Sequence, residues 1–289
     1  MNRNYFQFHH SLLIFLFIYA FASCKNVSGN NDSVPNIFLG IFLNQTLATP
    51  SICLKTSAGQ SQIDTVINSI QSVYGIQVCM DATLPPIVSA SALSSADNTE
   101  LLQALTQFQT ELQRFPVDYV KNWKLQTVYF SKNIKMLGQS VSGLSIGGSS
   151  LVIYELYVTA SYRQLLIHHE IFHHLDSLHS GIRIFYDDVW DSYNVRGNLY
   201  DGSYASCSAG GGSTAHPMTG FLNNYSFCSM TEDKAEVYSL QFNGVTNTAI
   251  NNYISEGDTV LQKKVNHVRK MAGYFSPNIN LNFWNTLNP

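Results

Sequence analysis

From Ser61 to Tyr74, Ile63, Val66, Ile67, Ile70 and Val73 recur at three- and four-residue intervals. That spacing puts one apolar stripe on a helix, and Gly75 is a natural stop. Ile76–Met80 reads as a strand, and residues 85–96, with Pro85-Pro86 and a Ser/Ala run, read as a loop. Asp97 followed by Glu100 forms a capping-box-like start, and Leu101, Leu105, Phe108, Leu112 and Phe115 continue as a helical stripe to Pro116. Leu125–Ser131 alternates as a strand does. Gly143–Leu156 predicts a hairpin, with Gly147-Gly148 at the turn and 151–156 as the second strand. A long helix is expected over Ser161–Ser180, closed by Gly181. Residues 182–228 are rich in Tyr, Gly, Ser and Asp and show little periodicity, the mark of a long loop that is either functional or disordered. Helices are expected again from Ser229–Thr231 to Phe242 and over Ser255–Tyr274. Helices and strands that alternate only in part define an α+β protein.

The first 24 residues stand apart. Arg3 comes early, and Leu12–Ala22 is an unbroken apolar run, too short for a transmembrane helix of ~20 residues. It reads as an export signal. Phe21-Ala22-Ser23-Cys24 resembles the lipobox of bacterial lipoproteins, in which the cysteine is lipidated; an ordinary cleaved signal peptide is the alternative. Removing Cys24 leaves Cys53, Cys79, Cys207 and Cys228, an even number that suits an oxidising compartment. Of three possible pairings, Cys53–Cys79 with Cys207–Cys228 is the expectation. An exported protein, secreted or held at the cell envelope by lipid, follows. The domain reading is signal 1–24, a tether and α/β portion over 25–109, and the main domain over 110–289.

Charge narrows the function. Only 12% of residues are charged and the formal net charge is −3, against roughly a quarter charged in an average soluble domain. No basic excess exists to neutralise phosphates, which excludes an electrostatic nucleic-acid binder. With 12% aromatic residues the chain is not a disordered one either.

Five of the nine histidines lie between 168 and 179. Within His168-His169-Glu170-Ile171-Phe172-His173-His174-Leu175-Asp176, His169-Glu170-x-x-His173 sits mid-helix. Residues four apart share a helix face, so His169 and His173 reach one metal ion. Glu170, beside the first ligand, can hold a water on the metal and take its proton. His168 and His174 point off that face. Two sources compete for the third ligand. His179 stands ten residues after His169, the metzincin spacing, although Asp176 occupies the position where that pattern has Gly. The rival is Thr231-Glu232-Asp233-Lys234-Ala235-Glu236, where Glu232 and Glu236 share a face: one could bind the metal while the other orients a ligand histidine. Asp176, three after His173, is a second candidate for orienting a ligand. His216, Met218 and Met230 are weaker candidates, more in keeping with packing.

These motifs carry a resemblance. Phe115-Pro116, Lys124–Val128, Ile167–Asp176, Trp190, Tyr193-Asn194, Gly220-Phe221, Tyr225 and Glu232–Tyr238 resemble the zinc-binding metallopeptidases found among secreted bacterial lipoproteins, over about 115–240. The motif pair is also similar to the catalytic domain of anthrax lethal factor. The resemblance implies a zincin-like domain of the gluzincin type and one zinc per chain, held by His169, His173 and Glu232. It implies Glu170 as general base, Tyr225 as stabiliser of the transition state, and Glu236 behind a ligand histidine. The reaction implied is peptide hydrolysis by a monomer on a peptide or protein substrate. Strand 151–156, before the active helix, is expected to pair with an extended substrate. A metzincin-like peptidase using His179 and a non-catalytic zinc-binding surface lipoprotein are the alternative functions.

Overall fold

A computed structural model describes residues 61–80, 84, 87–146, 150–181, 187–194, 200, 202, 207 and 211–287, all within the unit Pro35–Pro289. The export signal with Cys24, the tether, Cys53 and the turn Gly147-Gly148 lie outside the described residues.

The chain forms α1 (Ser61–Tyr74), β1 (Gln77–Cys79), β2 (Val88–Ser91), α2 (Asn98–Gln113), α3 (Val117–Asn122), β3 (Thr127–Met136), β4 (Gln139–Ser140), β5 (Gly143–Ser145) and β6 (Leu151–Glu155). Then come α4 (Ala160–Ser180), α5 (Asp188–Asp191), α6 (Met230–Ser239), α7 (Gly244–Ser255), α8 (Thr259–Gly273) and α9 (Leu281–Thr286). The protein is α+β. α1 ends where the sequence places its stop: Gly75 takes φ 78°, and its N–H closes on the Gln71 carbonyl at 2.9 Å.

The sheet runs β1-β3-β6-β5, with β1 and β6 parallel to β3 and β5 antiparallel to β6. The far half of β3 pairs antiparallel with β2 and β4. Side chains alternate across it as strand geometry requires. Val128, Phe130, Val152 and Tyr154 face the helices and join the main core with Leu105, Phe108, Ile167, Ile171, Val237 and Tyr238. Tyr129, Ile153 and Leu144 face the other way, onto Val88, Ile134, Met136 and Ile146. β2 replaces part of the expected 85–96 loop; its Val88-Ser-Ala-Ser sequence is too small and polar to announce a strand, and its pairing with β3 makes it one.

Two consequences matter for function. β6 is interior and β5 is the edge strand on its side, so the exposed edge expected at 151–156 lies instead at 143–145. In the register, Gly143 is opposite Tyr154 and Ser145 opposite Val152. Both therefore face α4, which crosses the same side of the sheet. Tyr154 marks the contact, donating from its hydroxyl to the Ile167 carbonyl at 3.1 Å.

α4 starts at Thr159, whose hydroxyl accepts the Tyr162 N–H, and runs unbroken to Ser180 before Gly181 ends it. Residues 165–172 are buried on every side. α6 goes further: each of its ten residues is buried. Such a helix shows no apolar stripe, because it has no wet face. No helix among the described residues is long and apolar enough to cross a membrane.

Candidate metal centre

α4 and α6 pack against each other, and each contributes one face to a cluster of donors. His169 and His173, one turn apart, direct their Nε2 atoms to the same point, 3.0 Å from each other. Glu232 Oε2, from the first turn of α6, stands 2.9 Å from His169 Nε2 and 3.4 Å from His173 Nε2. Ser229 caps that turn, accepting the Glu232 N–H at 3.3 Å.

The protonation chemistry of this triangle decides what it is for. His169 Nδ1 lies 3.0 Å from Glu236 Oε1. A neutral His169 donates there, so its Nε2 presents a lone pair. That lone pair faces an acceptor-only carboxylate oxygen and a second imidazole nitrogen. Three electron-rich atoms converge, and only a cation or a proton relieves them. Burial alone would push His169 down, but the carboxylates of Glu232 and Glu236 outweigh it and draw its pKa well above the ordinary range. Glu232 shows the reciprocal effect: burial opposes its charge, yet His173 and His169 hold its carboxyl well below the usual carboxylate range. Tetrahedral zinc with bonds of ~2.0–2.1 Å needs donors about 3.3–3.4 Å apart. The observed edges of 2.9, 3.0 and 3.4 Å fit that ion with small adjustment. Among the described residues, His169, His173 and Glu232 form the group whose ligand atoms lie close enough together to hold a metal ion.

Glu170 is buried next to the cluster. Burial raises its pKa, while His173 and His169 pull the other way and the Ser145 N–H bonds its carboxylate. β5 presses on it: a Cβ added at Gly143 would stand 2.6 Å from Glu170 Oε1. Tyr225, in the single turn Tyr225–Phe227, lies with its ring 6.0 Å from that of His169. Burial, with the charge and hydrogen bond of Glu232, pushes its hydroxyl well above the usual tyrosine range, so it stays a donor.

Glu236 is held as closely. Its Oε2 accepts the Gly212 N–H at 2.7 Å and the Asn223 side-chain N–H at 2.6 Å. A Cβ at Gly211 would meet its Oε1 at 2.4 Å. Beneath the ligands lies a buried ionic layer. Lys264 donates to Asp233 Oδ2 at 2.6 Å, where Tyr200 and Trp190 also donate, and Lys234 lies 2.9 Å from Asp187 Oδ2. Cys207 and Cys228 are joined, tying the loop to the residue before the Ser229 cap. Cys79 is also disulfide-bonded; its expected partner Cys53 lies outside the described residues.

Two expected site residues stand elsewhere. α4 continues straight through Asp176 to Ser180, carrying His179 ~15 Å along the axis from His169. His179 stacks on Tyr274, ring centroids 4.3 Å apart, so it supplies no ligand atom to this cluster. Asp176 does not orient a ligand histidine; it accepts from Ser180 at 2.8 Å and faces Lys234 at 3.4 Å. The weaker candidates are structural. His168 pairs with Glu111 at 2.8 Å and His174 with the Trp123 carbonyl at 2.8 Å. His216 pairs with Asp258 at 2.7 Å, Met230 is buried in α6, and Met218 forms a small bridge with Phe221. Gly143, Gly211 and Asn223 carry no local sequence signal, since each acts on a residue in a different element.

No family model matches the chain, and no curated protein does. A solved structure described as a "putative zinc-binding metallo-peptidase" from Bacteroides caccae ATCC 43185 is similar to it at 14% identity, over 81% of this chain and 98% of that one, with a TM-score of 0.48.

Proposed function

We propose that the protein is an exported zinc-dependent peptidase of zincin-like architecture. The reading is carried by one observation: two imidazole nitrogens and a carboxylate oxygen converge at 2.9–3.4 Å, with Glu170 buried alongside. His169, His173 and Glu232 would hold the ion. Zinc in such a site supplies Lewis acidity, which polarises a carbonyl and acidifies water.

The chain's own groups supply the rest. Glu170, with its raised pKa, accepts a proton from the attacking water and returns it to the leaving amine. Tyr225 keeps its proton and donates a hydrogen bond to the oxyanion that develops on the carbonyl. Glu236 holds the His169 Nδ1 proton and so keeps Nε2 free as a ligand. The edge strand β5 offers its outer backbone to an extended peptide beside α4. A monomer acting outside the cytoplasm, with Cys24 as a lipid anchor, completes the proposal.

The test is zinc content of purified protein, beside Glu232→Ala and His179→Ala. One zinc per chain is expected in wild type and His179→Ala, with loss in Glu232→Ala. Hydrolysis of a broad peptide library, abolished in Glu170→Gln with zinc retained, would complete it. Zinc binding with no hydrolysis of any library member would leave a zinc-binding surface protein instead.

A further inference from the structure

The metal site has a support outside both motifs. Asn223 is 1% exposed, and its side-chain amide uses its full bonding capacity. Nδ2 donates to Glu236 Oε2 at 2.6 Å and to the Ser213 carbonyl at 3.0 Å. Oδ1 accepts from the Ser226 N–H at 2.9 Å and the Ser226 hydroxyl at 3.2 Å. Chemistry fixes this orientation. Flipping the amide would set its oxygen against a carboxylate and a carbonyl, and its NH₂ against the Ser226 N–H.

We propose that Asn223 is a positioning residue of the metal centre, and the inference rests on the metal-binding reading above. Its NH₂ fixes Glu236, and Glu236 fixes the tautomer and ring orientation of His169. Its carbonyl fixes the turn that carries Tyr225. One side chain therefore sets two parts of the site relative to each other: the first ligand and the candidate oxyanion donor.

The charge pattern explains why the residue is Asn. Among the described residues, His169 is the side chain that ion-pairs with Glu236. The other partners on the carboxylate are neutral: the Gly212 N–H and the Asn223 amide. Neutral donors hold Oε2 in place and leave the negative charge directed at His169 Nδ1. A lysine or arginine in that place would draw the charge away from the ligand. An aspartate would oppose one carboxylate with another. The direct carboxylate partner of a ligand histidine usually governs metal affinity by about 10–100-fold, and Asn223 acts through that partner.

The experiment measures zinc affinity of the full-length protein by competition with a fluorescent chelator, for wild type, Asn223→Asp and Asn223→Ser. Thermal unfolding is recorded with zinc and with chelator. Asn223→Asp keeps an acceptor for Ser226, removes the donor to Glu236 and sets a second carboxylate against it; Asn223→Ser removes the same donor without adding charge, so the two variants are read together. The expected result is zinc binding weakened by more than about twofold, and by up to the ~10–100-fold of a direct partner, in both variants, with a smaller zinc-induced rise in Tm. Should Asn223→Asp fail to fold, Asn223→Ser, which adds no charge, decides. Zinc affinity within about twofold of wild type, even with a lowered Tm in chelator, would overturn the proposal and leave Asn223 as a loop-closing residue only. A wild type that binds no zinc would overturn the metal reading as well; tight wild-type binding with unaffected variants would overturn this inference alone.

Discussion

Gly143 lies directly against Glu170: a methyl carbon on its backbone would come within 2.6 Å of Oε1, 2.7 Å of Cγ and 2.9 Å of Cδ. No rotamer change at Gly143 avoids this, because Cβ position is set by the backbone. Gly143→Ala should therefore displace the Glu170 carboxylate while leaving the three metal donors in place. Misplacement by about an ångström typically costs about 100-fold in rate. The expected outcome is kcat lowered on that order with zinc content unchanged. Loss of zinc, or unchanged kcat, would show that β5 does not position the glutamate.

Tyr225 tests the other side of the proposed reaction centre. Removing one oxyanion donor lowers kcat about 100–1,000-fold. Tyr225→Phe should do so with KM little changed, and with zinc retained because His169, His173 and Glu232 all remain in place. A rise in KM without loss of kcat would assign the ring to substrate binding.

The ionic layer under the site should reveal itself in stability. Asp233 and Lys264 are both fully buried and 2.6 Å apart. Burial raises the Asp233 pKa and lowers that of Lys264, and their mutual attraction offsets it in part. Lys264→Met strands a buried carboxylate, a change that costs about 3–5 kcal/mol. The double change Asp233→Asn with Lys264→Met should recover much of that loss. Urea unfolding of the two variants checks the comparison.

Asp258 links the loop to the C-terminal helices. It accepts from His216 and the Gly220 N–H, each at 2.7 Å, and from the Leu261 N–H at 2.8 Å. Burial opposes its charge, but those bonds outweigh it and hold its pKa below the ordinary value. A depressed folded-state pKa gives stability that is present above the unfolded value of about 3.9 and is lost as pH falls through the folded one. Thermal unfolding should show wild type losing stability below about pH 4 more steeply than Asp258→Asn. Parallel curves would remove Asp258 from the acid response.

Local signals in the sequence found local features. α1 is expected and observed over the same residues, and the long helix begins at Ala160 rather than Ser161. His169, Glu170 and His173 are legible because one helix turn brings them together. The choice of Glu232 over His179 is not local: it depends on α6 packing on α4 across 63 residues of chain. α7 escaped because its Asn/Thr-rich sequence carries only a short apolar stripe, Ile250, Tyr253 and Ile254; Ile250 is buried and the other two pack half-buried against the core. α3 and α9, six residues each, are too short to show a period. The interior position of β6 was hidden for the same reason as the roles of Gly143 and Asn223. Strand order and contacts across elements are set by tertiary packing, which periodicity does not encode.

The Cys207–Cys228 bond spans 21 residues, and within that span lie Gly211, Gly212, Asn223 and Tyr225. A covalent closure of this size removes about 3 kcal/mol of chain entropy from the open ensemble. On the metal-binding reading proposed above, a chain stripped of its ion keeps these parts tethered beside α6. Metal exchange becomes a local adjustment within a closed ring, reversible without global refolding, and the holder of the ion is in this sense finished before the ion arrives.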